Sequence, residues 1–564
     1  MVATLSKYIP GLKIFHSYQR EWWQADLMAG VSVAAVALPV GIAYAQLAGL
    51  PPVVGIYSSI FPAVAYAFFG SSKQLVVNPD SAACMMVAST IAPLAAGDAL
   101  RNLDLAILLT FMTGVLCLVG GISKLGVIAN FLSRPILTGY LNGIAFSIMA
   151  SQLGTLLGFK IPRGGFFYTL WQGISRLSET HFASLILGLS LFALIRLMKR
   201  LTPKLPAPLF ATVAGILAVT VFALPGRGVA TVGQIPAGLP VPRIPSFAVS
   251  ELVPLFSGAC GIVLVSFCSM MTTARAFAIK NGYPIKVNQD MFALGISDLA
   301  AAVGSGFAVS GADSRTAVAD ASGGKSQVTS IVAAIMMALV LLFLARPLSY
   351  VPAAALAAIL ISSALGLFDI ASLRRYYSFS KSEFWFSIIA MLGVMTIGVL
   401  PGVLVAVALA IIKLLQRASH PHDAVLSPVS GLEGVYTSSP DEEHDSLPGV
   451  LIYRFDAALL FFNADYFKDR VQLALSESGS KPDWFIFNTE AVPLIDITGC
   501  EALEEVRRDL ENQGIVMVVA RAKGMFLANL KKSGLWDSIG KTRFFYSVHA
   551  AVLAYQLEHP QTSK

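Results

Sequence analysis

Charge is what this sequence has least of. Only 13% of its 564 residues are Asp, Glu, Lys or Arg, while 55% are hydrophobic and the mean hydropathy is +0.70. Soluble domains carry about 25% charged residues. A fold surrounded by water cannot bury such an apolar excess, so lipid is the expected solvent for much of the chain. Cysteine is sparse too. Cys84, Cys117, Cys260, Cys268 and Cys500 are scattered, four of them in apolar runs, which excludes a disulfide framework and a cysteine metal site. No nucleotide-binding loop, histidine-rich metal cluster or nucleophile elbow is present. The isolated Gly323-Gly324-Lys325-Ser326 lacks the upstream glycine and strand of a phosphate loop. Neither an enzyme nor a cofactor is therefore expected. No basic stripe interleaved with aromatics is found, which excludes nucleic acid as a partner. The opening MVATLSKYIPGLKIF lacks the apolar stretch and small-residue cleavage site of a signal peptide, so the first span is expected to direct targeting.

What charge there is divides by region. Residues 1–417 hold 27 basic and 13 acidic side chains, and residues 418–564 hold 13 and 20. That is a membrane part with basic edges followed by an acidic soluble part. The basic excess suits anionic headgroups and an anionic substrate. Apolar runs cover 27–49, 53–70, 79–97, 104–122, 126–158, 182–200, 207–224, 252–278, 288–304, 312–323, 326–345, 352–368, 384–399 and 401–417. Fourteen runs predict fourteen spans and place both termini on one side. Alternate loops hold Lys73, Lys124, Arg196, Lys199, Arg200, Lys204, Arg275, Lys280, Lys286, Lys325, Arg374, Arg375 and Lys381, on the face of Lys7, Lys13, Arg20, Lys413 and Arg417. The opposite loops hold only Arg101, Lys160, Arg163, Arg176, Arg227, Arg243 and Arg346. The positive-inside rule makes the richer face cytoplasmic, and with it both termini. The expected location is the cell membrane, the plasma or inner membrane.

Residues 418–449 read as a polar linker with a short strand at 434–437, and the pattern after them is soluble α/β. Strands are predicted at 450–455, 458–462, 484–488 and 515–520. Helices are predicted at 464–476, 499–512, 525–533 and 548–556.

Two short segments carry the polar groups that lipid disfavours. VVNPDSAACMMV (76–87) and AVSGADSRTAVAD (308–320) each have a break, then Asp-Ser, then small residues opening an apolar helix. They occupy the third and tenth spans, equivalent places in two repeats of seven. An odd number of spans inverts the second repeat, so two half-helix N-termini meet at mid-membrane. Unpaired N–H groups and the helix dipoles make that place electropositive. Arg315 adds a full charge, and Ser81 and Ser314 add hydroxyls. Asp80 and Asp313 read equally as helix caps, and Arg315 alternatively as a partner of Asp80, Asp313 or Asp320. Asp298 is expected to satisfy backbone or a basic partner, and Asp320 to contact solvent. In the first span, Pro39-Val40-Gly41 can break the helix, and Tyr44 is either a packing residue or an anion contact.

The order Asp-x-x-Ala-Gly, Leu-Pro-x-Gly-x-Ala-Tyr-Ala and Gly-Leu-Pro-Pro-x-x-Gly-x-Tyr-Ser-Ser in residues 26–59 resembles the SulP sulfate-permease family. The resemblance continues through NPDSAA (78–83), TARAFA (273–278), VNQDMFALG (287–295) and SGADSRTAV (310–318). VPLIDITGCEALEEV (492–506) resembles a STAS domain. The resemblance implies a polytopic α-helical membrane protein, 14 spans as a 7+7 inverted repeat, with a cytoplasmic α/β STAS domain, typically as a homodimer. It divides the chain into an N-terminal segment 1–26, a transport domain 27–417, a linker 418–449, a STAS domain 450–556 and a tail 557–564. Carried over by motif, the substrate site uses Val40, Tyr44, Asp80, Ser81, Ala82, Asp313, Ser314 and Arg315. Cation-coupled relatives carry an acid in the eighth span. Here that place falls on Ser269, and no carboxylate lies between Glu251 and Asp290. The loop Asp496-Ile497-Thr498-Gly499 matches one that is phosphorylated in related domains, with Thr498 as the hydroxyl. Alternatively, Thr498 N-caps the following helix. The implied function is secondary-active transport of a small inorganic oxyanion, with sulfate favoured and bicarbonate, chloride and dicarboxylates open. An anion-responsive sensor signalling through STAS to a cytoplasmic protein partner stays open beside it.

Overall fold

The computed structural model describes residue 11 and residues 18–95, 97–126, 133–161, 165–202, 206–430, 432–438 and 447–560. Lys7, Lys13, Arg163 and Lys204, counted above for orientation, lie outside the described residues. The chain divides into two units, Met1–Leu409 and Ala410–Lys564.

The first unit is helical. Its helices are α1 (Trp22–Ala48), α2 (Pro52–Phe69), α3 (Ser81–Ala95), α4 (Ala99–Ile122), α5 (Arg134–Leu157), α6 (Phe166–Ser175), α7 (Phe182–Leu201), α8 (Ala207–Val221), α9 (Leu252–Asn281), α10 (Val287–Val303), α11 (Asp313–Ala321), α12 (Val328–Phe343), α13 (Ala345–Ser349), α14 (Ala353–Leu365), α15 (Ile370–Phe379), α16 (Lys381–Thr396) and α17 (Val399–Ser419). Each of the fourteen apolar runs holds one helix, and α6, α13 and α15 are short connectors between them. The first seven are α1–α5, α7 and α8, and the second seven are α9–α12, α14, α16 and α17. Among the described residues, seven helical stretches are long and apolar enough to cross a bilayer on their own, including α1, α2, α4, α5 and α7. Apolar side chains such as Phe182, Ile186 and Leu189 point outward from α7, as lipid contact requires.

Local sequence explains the joints. Gly49 ends α1 at φ 76°, a conformation that disfavours any other side chain, and Pro52 opens α2 where its missing N–H costs nothing. Gly41 and Gly55 face each other. A Cβ on Gly55 would collide with the Gly41 carbonyl, so this pair sets how closely α1 and α2 approach.

The extended pieces before α3 and α11 form two short strands, β1 (Val77–Asn78) and β2 (Ser310–Gly311). They pair antiparallel, Val77 opposite Gly311 and Asn78 opposite Ser310. Non-helical backbone survives at membrane depth only where protein satisfies its polar groups. Here buried side chains do so. Ser58 Oγ accepts the Phe307 N–H at 2.8 Å, and Asp298 Oδ1 accepts the Val309 N–H at 2.9 Å. Ser310 donates its hydroxyl to the Ser266 carbonyl at 2.8 Å. On the other strand, Thr316 Oγ1 accepts the Val76 N–H at 3.0 Å, and Gln327 donates to the Ser72 and Leu75 carbonyls at 2.8 Å. Of the two readings offered for Asp298, satisfying backbone is the one observed.

The second unit holds β3 (Asp423–Pro428), β4 (Tyr436–Thr437), β5 (Val450–Phe455), α18 (Ala464–Glu477), β6 (Trp484–Asn488), α19 (Ile497–Asn512), β7 (Val516–Ala520), α20 (Gly524–Lys532), α21 (Leu535–Ile539), β8 (Phe544–Phe545) and α22 (Val548–Glu558). The sheet order is β4-β3-β5-β6-β7-β8, with β5 to β8 parallel and β3 antiparallel to β5. All of β6 is buried. Phe485 and Phe487 pack with Phe467, Leu503 and Phe526 on one face, while Trp484 and Ile486 pack with Val552 and Tyr555 on the other. Two expectations change. Part of the stretch read as linker is β3, a strand of this sheet, whose Asp and Pro obscure its pattern. Residues 458–462 form no strand. Leu459 makes one bridge to Ile495, and the chain then turns, with Leu460 N–H held by Asn463 Oδ1 at 2.8 Å.

Candidate functional site

The β1–β2 pairing brings the starts of α3 and α11 side by side, running apart in opposite senses. At α3, Asp80 Oδ2 accepts the Ala82 N–H at 3.2 Å, so Asp80 caps its helix. Ser81 and Ala82 are buried behind it. Asp313 does not cap. It is the first residue of α11, and its carboxylate instead takes the Thr273 hydroxyl from α9. Asp313 and Ser314 are exposed.

Arg315 is the centre of the arrangement. It is 2% exposed. One guanidinium nitrogen donates to the Pro79 carbonyl, which ties α11 to the lead-in of α3. Its Cζ stands 5.7 Å from the centre of the Tyr44 ring, which is cation–π range. Its Nε has no hydrogen-bond partner. Among the described residues no carboxylate forms an ion pair with it. Asp320, one of the three partners considered from sequence, is bound elsewhere, to Lys280 Nζ at 2.6 Å and Asn281 Nδ2 at 2.8 Å. That pairing, on a side chain only 8% exposed, also replaces the expected solvent contact. Tyr44 is buried on α1, one turn after the buried Val40, and its carbonyl accepts the Cys84 thiol from α3 at 2.8 Å. Tyr44, Asp80, Ser81, Asp313 and Arg315 thus come together. Ser269 is buried one turn before Thr273, whose hydroxyl also reaches the Ser269 carbonyl at 3.3 Å. Thr273 is a site residue that sequence reasoning does not reach, although it opens the TARAFA motif.

The remaining motif residues build the frame. Buried Asp26 accepts from Lys325 N at 2.6 Å, Ser326 N at 3.1 Å, Ser326 Oγ at 2.6 Å and Thr329 Oγ1 at 3.1 Å. The Gly-Gly-Lys-Ser stretch is therefore the turn between α11 and α12, pinned by the first acid of the Asp-x-x-Ala-Gly motif. Asp290 takes Tyr66 OH at 2.8 Å, Ser71 N at 2.7 Å and Ser71 Oγ at 2.8 Å.

A buried guanidinium with an open donor and no direct ion pair among the described residues, between two helix starts, matches an anion site. Family comparison agrees with that chemistry. The model of the sulfate permease family matches residues 23–391. The chain belongs to the sulfate permease family. The model of the STAS domain matches residues 443–551 of this permease-family chain. A Mycobacterium tuberculosis protein named "Probable sulfate transporter" is 38% identical over 558 residues, covering 99% of this chain and 100% of that one. "Sulfate transporter 3.1" of Arabidopsis thaliana is 30% identical over 583 residues, covering 97% and 88%. The murine Solute Carrier 26 family member A9 anion transporter, solved in an inward-facing state, superposes with a TM-score of 0.91 at 24% identity over 99% and 95% of the chains. That likeness shows the fold, a multi-pass membrane domain with a C-terminal STAS domain.

In the STAS domain of this sulfate-permease member, α19 starts at Ile497 and its cap is Asp496, whose Oδ1 accepts the Gly499 N–H at 2.8 Å. Thr498 therefore lies inside the first turn and does not cap the helix.

Proposed function

We propose that this protein carries sulfate across the membrane by alternating access, with the anion held between the starts of α3 and α11. The observation that carries the reading is Arg315: a buried guanidinium with a free donor and no carboxylate partner among the described residues. A permanently charged group in that state is stabilised by an anion that arrives and leaves. The Ser81 and Ser314 hydroxyls and the first N–H groups of α11 supply further donors, while Asp80 holds the Ala82 N–H of α3, and Tyr44 lies beside the guanidinium. Relatives named as sulfate transporters over nearly the full length support sulfate as the anion. The same reading places both termini in the cytoplasm and pairs two copies as a homodimer. Ser269 leaves the eighth span without a carboxylate, so the reading favours anion exchange over cation coupling through that position.

The test is sulfate affinity and flux of the purified protein in proteoliposomes, with and without pH and sodium gradients. Arg315→Ala should weaken sulfate binding about 10- to 150-fold, the worth of a charge-assisted hydrogen bond, and Arg315→Lys should restore part of it. Ser314→Ala should cost about 2- to 12-fold. Wild-type affinity and flux in Arg315→Ala would remove the charge from the site. A lowered thermal midpoint without sulfate, restored by also removing Asp80 or Asp313, would make Arg315 a structural partner instead.

A further inference from the structure

Tyr140 lies on α5, within the run broken by Gly139 and Gly143. Both glycines seat α5 directly on α16. A Cβ at Gly139 would enter the backbone of Ser387, and one at Gly143 would stand 2.8 Å from the Met391 carbonyl. The Tyr140 side chain between them is fully buried. Its hydroxyl has no hydrogen-bond partner. An unpaired donor inside a protein is disfavoured, and native structures hold few of them. Its surroundings say where the missing acceptor belongs. α5 packs against α3, whose start carries Asp80, and that carboxylate lies within electrostatic reach of the Tyr140 hydroxyl. Asp80 also neighbours Arg315 and Tyr44. Two buried donors without acceptors, Arg315 Nε and Tyr140 OH, therefore sit on two helices that both approach α3: α11, through the Arg315 bond to the Pro79 carbonyl, and α5, by packing. What both lack is an acceptor.

We infer that the Tyr140 hydroxyl is a further anion-binding group, donating to an outer oxygen of the anion held at the α3 and α11 starts. The inference rests on the site reading given above and adds a selectivity to it. A halide is a single centre, and the helix ends with Arg315 can satisfy it. Sulfate spreads four acceptor oxygens, and those turned away from the helix ends need donors from another element. A hydroxyl on α5 is such a donor. It favours a tetrahedral oxyanion over a halide of similar size, because a site built to hydrogen-bond a group discriminates against ligands lacking it.

Tyr140→Phe keeps the ring and removes only the hydroxyl. In the full-length protein it should weaken sulfate binding about 3- to 10-fold while chloride binding stays unchanged. Its thermal midpoint without anion should stay level or rise, since an unpaired buried hydroxyl is lost. Arg315→Ala is measured alongside and should weaken both anions. If Arg315→Ala loses affinity and Tyr140→Phe keeps wild-type sulfate affinity, the inference fails while the site stands. It fails in the same way if sulfate and chloride weaken equally, or if the midpoint falls without anion. If neither variant changes binding of either anion, the site reading itself falls.

Discussion

Arg315 and Asp26 are both charges buried in the membrane unit, and their neighbours assign them opposite tasks. Asp26 is saturated: backbone and hydroxyl donors from 325–329 surround its carboxylate. Arg315 is left with an open donor. Asp26→Ala should therefore act on stability. It strands the Lys325 and Ser326 N–H groups and should cost about 3 kcal/mol, seen as a lower thermal midpoint with little change in sulfate affinity measured well below it. Arg315→Ala should do the reverse. An unchanged midpoint in Asp26→Ala would show that the 323–326 turn holds itself. This division is half legible in the sequence. The motif around Asp26 marks the family, but its partners lie about 300 positions away, and no local pattern shows which donors converge on it. Arg315 is readable because it follows a helix break in an apolar run. Thr273 is not, because a threonine within a span usually bonds its own helix, and its contact with Asp313 depends on how α9 meets α11.

At the scale of elements, hydropathy locates the long helices of the first unit, because a run of apolar residues is a local property. It does not show the two-residue strands β1 and β2, which no periodicity can reveal and which align the two helix starts. Gly311 is where that alignment is tightest. A Cβ there would stand 2.7 Å from Met270 Cγ and 3.0 Å from the Met270 Cα and Leu75 Cδ1. Gly311→Val should push β2 away from α9, costing about 1–3 kcal/mol of stability. Because β2 leads into α11, sulfate affinity should fall as well. Gly165→Ala is the control, since nothing lies within 4 Å of that added Cβ. Equal thermal midpoints and equal sulfate affinities for the two variants would mean that the β1–β2 seat is not what positions the site.

For the molecule as a whole, the change in composition near residue 418 already separates an apolar basic part from an acidic one. The position of β3 is hidden, because residues 429–449, about twenty, separate it from its partner β5. The second unit has its own sheet and two apolar faces, so residues 410–564 alone should fold cooperatively, with a sharp melt by circular dichroism. Acid should weaken it in a traceable way. On α19, hydrogen bonds from Arg507 and then Arg508 outweigh partial burial and hold the Glu504 carboxylate below its ordinary value. A carboxylate with a lowered folded-state pKa contributes stability above its unfolded value, near pH 4.3, and loses it as pH falls through the folded value. The group is near the surface, so the contribution is about 0.5–1 kcal/mol. Glu504→Gln should therefore melt lower than wild type at pH 7, and the gap should close below about pH 4. A gap that persists unchanged to pH 3 would assign the effect to helix packing. A fragment without a cooperative melt would show that this unit needs the membrane part to fold.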